Sequence, residues 1–302
     1  MCFILSACSS GDHNTAPVLI QPTPTATLTV SPSMIEPGQS ATLRWSSTSA
    51  TNVTISGIGT VQPSGQQSVE PTTTTTYMLT ATDSSGSARA TATETPLTTI
   101  VSDNFDRADQ QGLGVTPQGQ TWMITGSGYQ TVAIESHQYV DGVSGVNNTS
   151  YAGLQMAQQP IRIGGKFSLS PGQGNASHGE FALISSNDTG IQLKNMVHLN
   201  SSMFEVGLTW WQGSNQYNQP ASCTGTAGYS SPLLLDGTTY SIEMTIVGNT
   251  VTVDKPDGTQ YICTDPHFSQ LAGTLGIWEL DYNSTSDAVP RWDEADAYVV
   301  AP

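Results

Sequence analysis

The stretch Thr209-Trp210-Trp211-Gln212-Gly213-Ser214-Asn215-Gln216-Tyr217-Asn218-Gln219 has the composition that sugar recognition requires. Flat aromatic rings cover the C–H faces of pyranoses, and amide groups bind their hydroxyls. On a strand, adjacent Trp210 and Trp211 take opposite faces of the pleat, so one fills a core while the other faces a groove or solvent. Trp210, Trp211, Tyr217 and Tyr229 are therefore the candidate ligand contacts, with Trp278 and Tyr282 behind them on the same logic. Capping the edge of a sandwich is a role that both tryptophans fit as well. Acid–base and nucleophilic chemistry has less to stand on. Glu180 and Glu205 are isolated between apolar residues, His137, His178, His198 and His267 are scattered, and no nucleophile elbow is present. A protein without catalytic activity is the expectation. Cys223 and Cys263 lie forty positions apart. A metal pair lacks nearby Cys or His at ligand spacing and a catalytic thiol lacks a histidine partner, whereas an oxidising compartment makes the pair a disulfide.

Strands must position these residues. Between residues 98 and 302, Ser241-Ile242-Glu243-Met244-Thr245-Ile246 and Val251-Thr252-Val253 flank Val247-Gly248-Asn249-Thr250, and Pro256-Asp257-Gly258-Thr259 precedes Gln260-Tyr261-Ile262. Asn and Gly tolerate the positive φ of tight hairpin turns. No window of about 11 residues sustains an amphipathic helical period, so a large antiparallel sandwich is expected. Residues 26–97 read as a smaller sandwich. Thr27–Val30, Ala41–Trp45, Val53–Ile55, Tyr77–Ala81 and Ala88–Ala92 alternate with period two, and Pro37-Gly38, Ser64-Gly65 and Ser85-Gly86 supply predicted turns. Trp45 and Tyr77 sit on such strands, where inward positions carry the large residues, so core packing is expected of both.

At 302 residues the chain suits two domains of roughly 70 and 200 residues, each large enough to bury a core. Eight Lys and Arg against 24 Asp and Glu give a formal charge of −16, which repels phosphate backbones and anionic head groups, so no nucleic acid partner is expected. With charged residues at 11%, the surface must be polar through hydroxyls and amides, as in many secreted β-proteins. No interior stretch approaches the roughly 20 apolar residues of a membrane helix. At the N-terminus, Leu5-Ser6-Ala7-Cys8 resembles the lipobox of bacterial lipoproteins, where the cysteine is lipidated after cleavage. The charged n-region and most of the apolar h-region are missing, so either the start codon is placed too late or the pattern is accidental. The resemblance implies a truncated signal at 1–8, a lipid on Cys8, and a Pro-containing tether at 9–25. It also implies a place at the bacterial outer membrane or cell surface, or secretion, with the lipid anchor as the only membrane contact.

Glu36-Pro37-Gly38-Gln39-Ser40-Ala41-Thr42-Leu43-Arg44-Trp45 and Pro71-Thr72 through Thr76-Tyr77-Met78-Leu79-Thr80-Ala81 resemble bacterial immunoglobulin-like domains that recur as spacers in exported proteins. This implies an immunoglobulin-like sandwich at 26–97 with no active site. Three stretches of 98–302 resemble the concanavalin A-like (laminin-G-like) lectin and glucanase jelly rolls. Asp103-Asn104-Phe105-Asp106-Arg107-Ala108-Asp109 with Leu113-Gly114 and Trp122 looks like the opening strand. Leu235-Asp236-Gly237-Thr238-Thr239-Tyr240-Ser241-Ile242 with Val247 to Val253 looks like a late strand pair. Gly273-Thr274-Leu275-Gly276-Ile277-Trp278 and Trp292-Asp293-Glu294-Ala295-Asp296-Ala297-Tyr298-Val299 look like the closing pair. The resemblance implies a jelly roll that binds carbohydrate or another surface ligand. Glycoside hydrolases of this kind carry carboxylates alternating along one strand, often as Glu-x-Asp-x-x-Glu, and no such run occurs here. Binding without catalysis is the expectation, with a divergent polysaccharide-degrading enzyme or a structural adhesion protein as alternatives. Such jelly rolls often hold a structural Ca2+ ion between the first and last strands, which implies a site where Asp103 or Asp106 meets Asp293 or Asp296.

Overall fold

The computed structural model describes residues 21–126, 132–141, 148–169, 177–185, 191–200, 203–212, 217–225, 228–229, 239–256, 258–270, 273–282 and 290–302, and along several strands only the backbone path. The chain is all-β. Among the described residues the one helical element is a 3-10 turn at Pro266–Gln270. Contacts divide the chain into two compact units, Met1–Thr95 and Pro96–Pro302.

In the first unit the strands are β1 (Thr25–Ser31), β2 (Met34–Ile35), β3 (Ala41–Thr48), β4 (Asn52–Ile55), β5 (Gly59–Thr60), β6 (Ser64–Val69), β7 (Thr75–Asp83) and the first half of β8 (Gly86–Asp103). One sheet runs β1-β3-β6, and another joins β5, β4, β7 and residues 86–94 of β8. Alternation dictates the core: Ala41, Leu43 and Trp45 of β3 and Tyr77, Leu79 and Ala81 of β7 are buried, and the residues between them are not. Trp45 and Tyr77 are thus core residues, as expected. The predicted turn at Ser64-Gly65 is not formed. Both residues lie in β6, with Gly65 opposite Trp45, and a Cβ there would stand 2.7 Å from the indole. The glycine makes room for a tryptophan ring, a demand that local sequence cannot show.

The second unit continues with β9 (Gln110–Gln111), β10 (Met123–Gly126), β11 (Val132–Glu135), β12 (Gln138–Asp141), β13 (Asn148–Gln155), β14 (Arg162–Leu169), β15 (Ser177–Ser185), β16 (Ile191–Asn200), β17 (Met203–Gln212), β18 (Tyr217–Asn218), β19 (Ser222–Thr224), β20 (Gly228–Tyr229), β21 (Thr239–Val247), β22 (Thr250–Asp254), β23 (Gln260–Thr264), β24 (Gly273–Tyr282) and β25 (Pro290–Val300). The predicted hairpin turns are present: Gly248 has φ 56°, and the Gly258 N–H donates to the Lys255 carbonyl. One sheet runs β19-β23-β22-β21-β14-β25, closed by residues 97–103 of β8, so the unit's first and last strands pair antiparallel. The other runs β10-β13-β24-β15-β16-β17-β18, with β20 added on β17.

Buried residues of both sheets form one apolar cluster, including Ile163, Ile242, Met244, Val253, Leu154, Leu208, Trp210, Trp278 and Trp292. This is the jelly-roll sandwich that the sequence suggested. The Trp278 indole, fully buried, donates to the Gly164 carbonyl at 2.7 Å. Gly164 is fixed by packing, because a Cβ there would come within 2.2 Å of the Ile242 carbonyl oxygen.

Candidate functional site

The structure separates the two adjacent tryptophans. Leu208 and Trp210 are buried, so the even positions of β17 face the core and the odd positions, including Trp211, occupy the opposite face. Trp210 is therefore no ligand platform. Its indole stacks on the His267 ring with centroids 3.9 Å apart, and its N–H donates to Asp265 Oδ2 at 3.2 Å. That same oxygen accepts the Ala221 N–H at 3.0 Å. Oδ1 takes the His267 N–H at 2.9 Å and lies 2.6 Å from His267 Nδ1. Burial pushes the Asp265 carboxyl up, but hydrogen bonds from the His267 amide and ring and the Ala221 amide outweigh it and hold the group below the usual carboxylate range. His267 and Asp265, which sequence reading left unassigned, thus clamp Trp210. Trp278, also a candidate ligand contact, is wholly buried.

Trp211 stands opposite Tyr217 on β18, so these two candidates share one face of the sheet. Tyr229 stands opposite Phe204, an even position of β17, and so belongs with the core-facing line. Residues directly opposite each other in a ladder share a face. Thus the outer face carries a line Thr149, Asp281, His178, His198, Glu205 across β13, β24, β15, β16 and β17. One pleat repeat along lies the line Tyr151, Glu279, Glu180, Met196, Gly207. Beyond it come Met123 on β10 with Gly153, Ile277, Ala182, Lys194 and Thr209, and then Gln192 beside Trp211 and Tyr217. Met123 and Gln155, on this same face, are exposed. From Glu205 to Trp211 the face spans about 20 Å. Reading each strand alone leaves Glu180, Glu205, His178 and His198 isolated; register assembles them.

The four acids assigned to calcium do not form one site. Although β8 meets β25, Asp103 stands opposite Ala295 on the core side, and Asp296 stands opposite Ser102, so the pleat puts the two on opposite faces. Asp103 is fully buried and its oxygens are taken. Oδ1 accepts from Phe105 N–H at 2.9 Å and Arg107 Nη1 at 2.7 Å, and Oδ2 accepts from Arg107 Nη2 at 2.9 Å and Trp122 Nε1 at 2.7 Å. A guanidinium already fills the edge where a cation would sit. Asp106 is exposed and faces His137 Nδ1 at 2.9 Å. Asp293, displaced at the register shift where β14 meets β25, accepts from the Gln138 amide. Among the described residues no group of three or more His, Cys, Asp or Glu side chains is placed to hold a metal.

Cys223 and Cys263 are joined in a disulfide between β19 and β23. A depression on the other sheet is lined by Tyr240, Glu243, Asp254 and Lys255, but Glu243 is paired with Arg162 at 3.3 Å. Cys8 lies outside the described residues.

No protein-family profile matches the chain, and no curated protein sequence matches it. Solved structures do. A carbohydrate-binding module of the evolved Dit protein of Lactobacillus casei BL23 phage J-1 is similar at 13% identity, covering 68% of this chain and 97% of that one, with a TM-score of 0.45. A Bacteroides ovatus glycoside hydrolase of family 16 from a mixed-linkage glucan locus is similar at 10% identity, covering 65% and 98%, with a TM-score of 0.40. The lumenal domain of VIP36 in its Ca2+-bound form is similar at 9% identity, covering 61% and 86%, with a TM-score of 0.37. These likenesses concern the fold alone. They correct the expectation of a protein without catalysis, because glycoside hydrolases stand beside binding domains among the similar folds, and carboxylates brought together by register rather than along one strand escape the sequence criterion behind that expectation.

Proposed function

We propose that the second unit recognises carbohydrate on the outer face of the sheet holding β13, β24, β15, β16 and β17, with Trp211 and Tyr217 as its aromatic platform. The observation that carries this is the ladder pairing of Trp211 with Tyr217 on the face opposite buried Trp210, beside Gln192 and on the same face that further along carries four carboxylate-bearing positions. Aromatic anchors at interface centres contribute about 2 kcal/mol or more, so Trp211→Ala is expected to weaken binding by on the order of 30-fold. An array of plant, algal and bacterial glycans, followed by titration of each hit against Trp211→Ala and Tyr217→Ala, checks this. Undiminished binding in both variants discards the platform.

One observation favours a second reading, hydrolysis. Glu180 stands directly opposite Glu279, where Cβ atoms lie about 4.5–5.5 Å apart, and retaining glycosidases need two carboxyl groups about 5 Å apart. Product analysis on every glycan hit decides it: turnover abolished in Glu180→Gln and in Glu279→Gln with binding kept supports hydrolysis, and binding without products from the unaltered protein rejects it.

The first unit serves in this reading as an immunoglobulin-like spacer, and Cys8 as a lipid anchor at the bacterial outer membrane or cell surface. The Leu5-Ser6-Ala7-Cys8 pattern supports the anchor. With a lipoprotein signal sequence placed upstream of Cys8, mass spectrometry of the membrane fraction is expected to find Cys8 diacylated or triacylated; an unmodified Cys8 ends the proposal.

A further inference from the structure

We infer that the second unit holds a separate subsite for one neutral hexose ring, in the depression between the start of β21 and the turn that joins β22 to β23. It lies on the sheet β19-β23-β22-β21-β14-β25, whereas Trp211 and Tyr217 belong to the other sheet. Tyr240, Ser241, Glu243, Asp254, Lys255 and Pro256 line a volume of about 310 Å3. A water occupies about 30 Å3 of liquid, so the space equals roughly ten waters, room for one sugar ring with its hydroxyls.

The wall of the depression is preformed. The Lys255 N–H donates to the Thr259 carbonyl and the Gly258 N–H to the Lys255 carbonyl, both at 2.9 Å, with Pro256 fixing its own φ between them and Gly258 at φ 77°. Its acceptors are aimed. Glu243 and Asp254 are direct ladder partners, and they share the outer face because Ile242, Met244 and Val253 beside them are buried. Asp254 Oδ1 takes the Gln260 amide at 2.7 Å. Glu243 Oε2 lies 3.3 Å from Arg162 Nη1, and Arg162 Nε donates to Thr245 Oγ1 at 3.1 Å, so both carboxylates are held in one orientation. Like charges directly opposite in a ladder destabilise a sheet, and departures of this kind from local rules are expected at functional positions. Two carboxylates with Cβ atoms about 4.5–5.5 Å apart suit two hydroxyls of one ring, each donating to a charged acceptor. Arg162 and Lys255 balance them in formal charge, which favours a neutral ligand over an ion. Lys255 is only 6% exposed, so its methylene stem joins Tyr240 and Pro256 as apolar surface for the C–H side of the ring.

This subsite does not rest on the platform at Trp211 and Tyr217, and the test separates the two. The full-length protein is titrated with the methyl glycosides of glucose, galactose and mannose, by calorimetry and by NMR of the backbone amides. At least one is expected to bind with Kd on the order of 1 mM, the affinity open to a ligand of this size, and to shift the amides of Tyr240, Ser241 and Gly258. The Trp211→Ala, Tyr217→Ala double variant is expected to keep that affinity. Asp254→Asn is expected to weaken it by about 10-fold or more, with Tm equal to or above that of the unaltered protein because the facing charges are relieved. A carboxylate that served structure alone would instead lower Tm when neutralised. Unmoved amides at 240, 241 and 258 with all three glycosides overturn the subsite, as does an affinity that Asp254→Asn leaves unchanged. Binding lost in the Trp211→Ala, Tyr217→Ala variant but kept in Asp254→Asn assigns the sugar to the platform and overturns it too. The amide shifts need no variant, so they decide even if Asp254→Asn fails to fold.

Discussion

Asp103→Ala is expected to lower the stability of the second unit by about 3–5 kcal/mol, because removing one partner of a buried ion pair leaves the other charge uncompensated. In a unit of this size that lowers Tm by on the order of 10 °C, measurable by calorimetry. Asp103 is fully buried, with four donors on two oxygens, and two of them come from one guanidinium. Without the carboxylate, the Trp122 indole N–H and the Phe105 amide lose their acceptor. Phe105, held at φ 53°, loses the turn that places its ring 5.8 Å from Trp122 and 6.0 Å from Tyr139. Trp122 in turn packs edge-on against Trp278 at 5.4 Å, so the damage reaches both sheets. The exposed neighbour Asp106 is the control, and Asp106→Asn should leave Tm unchanged. A shift of less than about 2 °C in Asp103→Ala would show that the unit's stability does not depend on this carboxylate.

Asp265→Asn is expected to cost on the order of 3 kcal/mol at neutral pH, since hydrogen bonds to a buried charged acceptor each contribute about 1.5–3 kcal/mol and an amide cannot accept four donors as a carboxylate does. The effect carries its own pH signature. With burial opposed and outweighed by the His267 and Ala221 hydrogen bonds, the folded carboxyl is more acidic than the unfolded one. Its contribution is therefore present above the unfolded value near 3.9 and is lost as pH falls through the lower folded value. Tm curves of the unaltered protein and Asp265→Asn should lie apart at pH 5–7 and draw together as pH falls below the ordinary aspartate value. Parallel curves across that range would mean that Asp265 acts through packing alone.

Strand content, the two hairpin turns of the second unit and the inward placement of Trp45 and Tyr77 were legible because each is written within a few residues, in period-two alternation or in a Gly-Asn or Asp-Gly turn. The separation of Trp210 from Trp211 was legible as a choice of faces, but not which tryptophan went inward; that was decided by Asp265 and His267, more than fifty residues further along. The calcium set failed for a related reason. Pairing of the first and last strands was anticipated, yet the one-residue offset that sets Asp103 against Ala295 rather than Asp296 depends on register, which no single strand reveals. The line from Asp281 to Glu205 is more remote still, drawing on four strands between residues 177 and 282. In linear sequence its members are single polar residues in apolar surroundings.

That line also bears on how such proteins diverge. Its spelling is distributed over four strands whose connections can lengthen or shorten without changing the ladder positions, whereas one residue gained inside β16 would shift position 198 to the core-facing register and break the line. Descendants can therefore keep the four residues while losing every recognisable linear signature, and ancestry along this face is better traced by aligning ladder positions than by aligning chains.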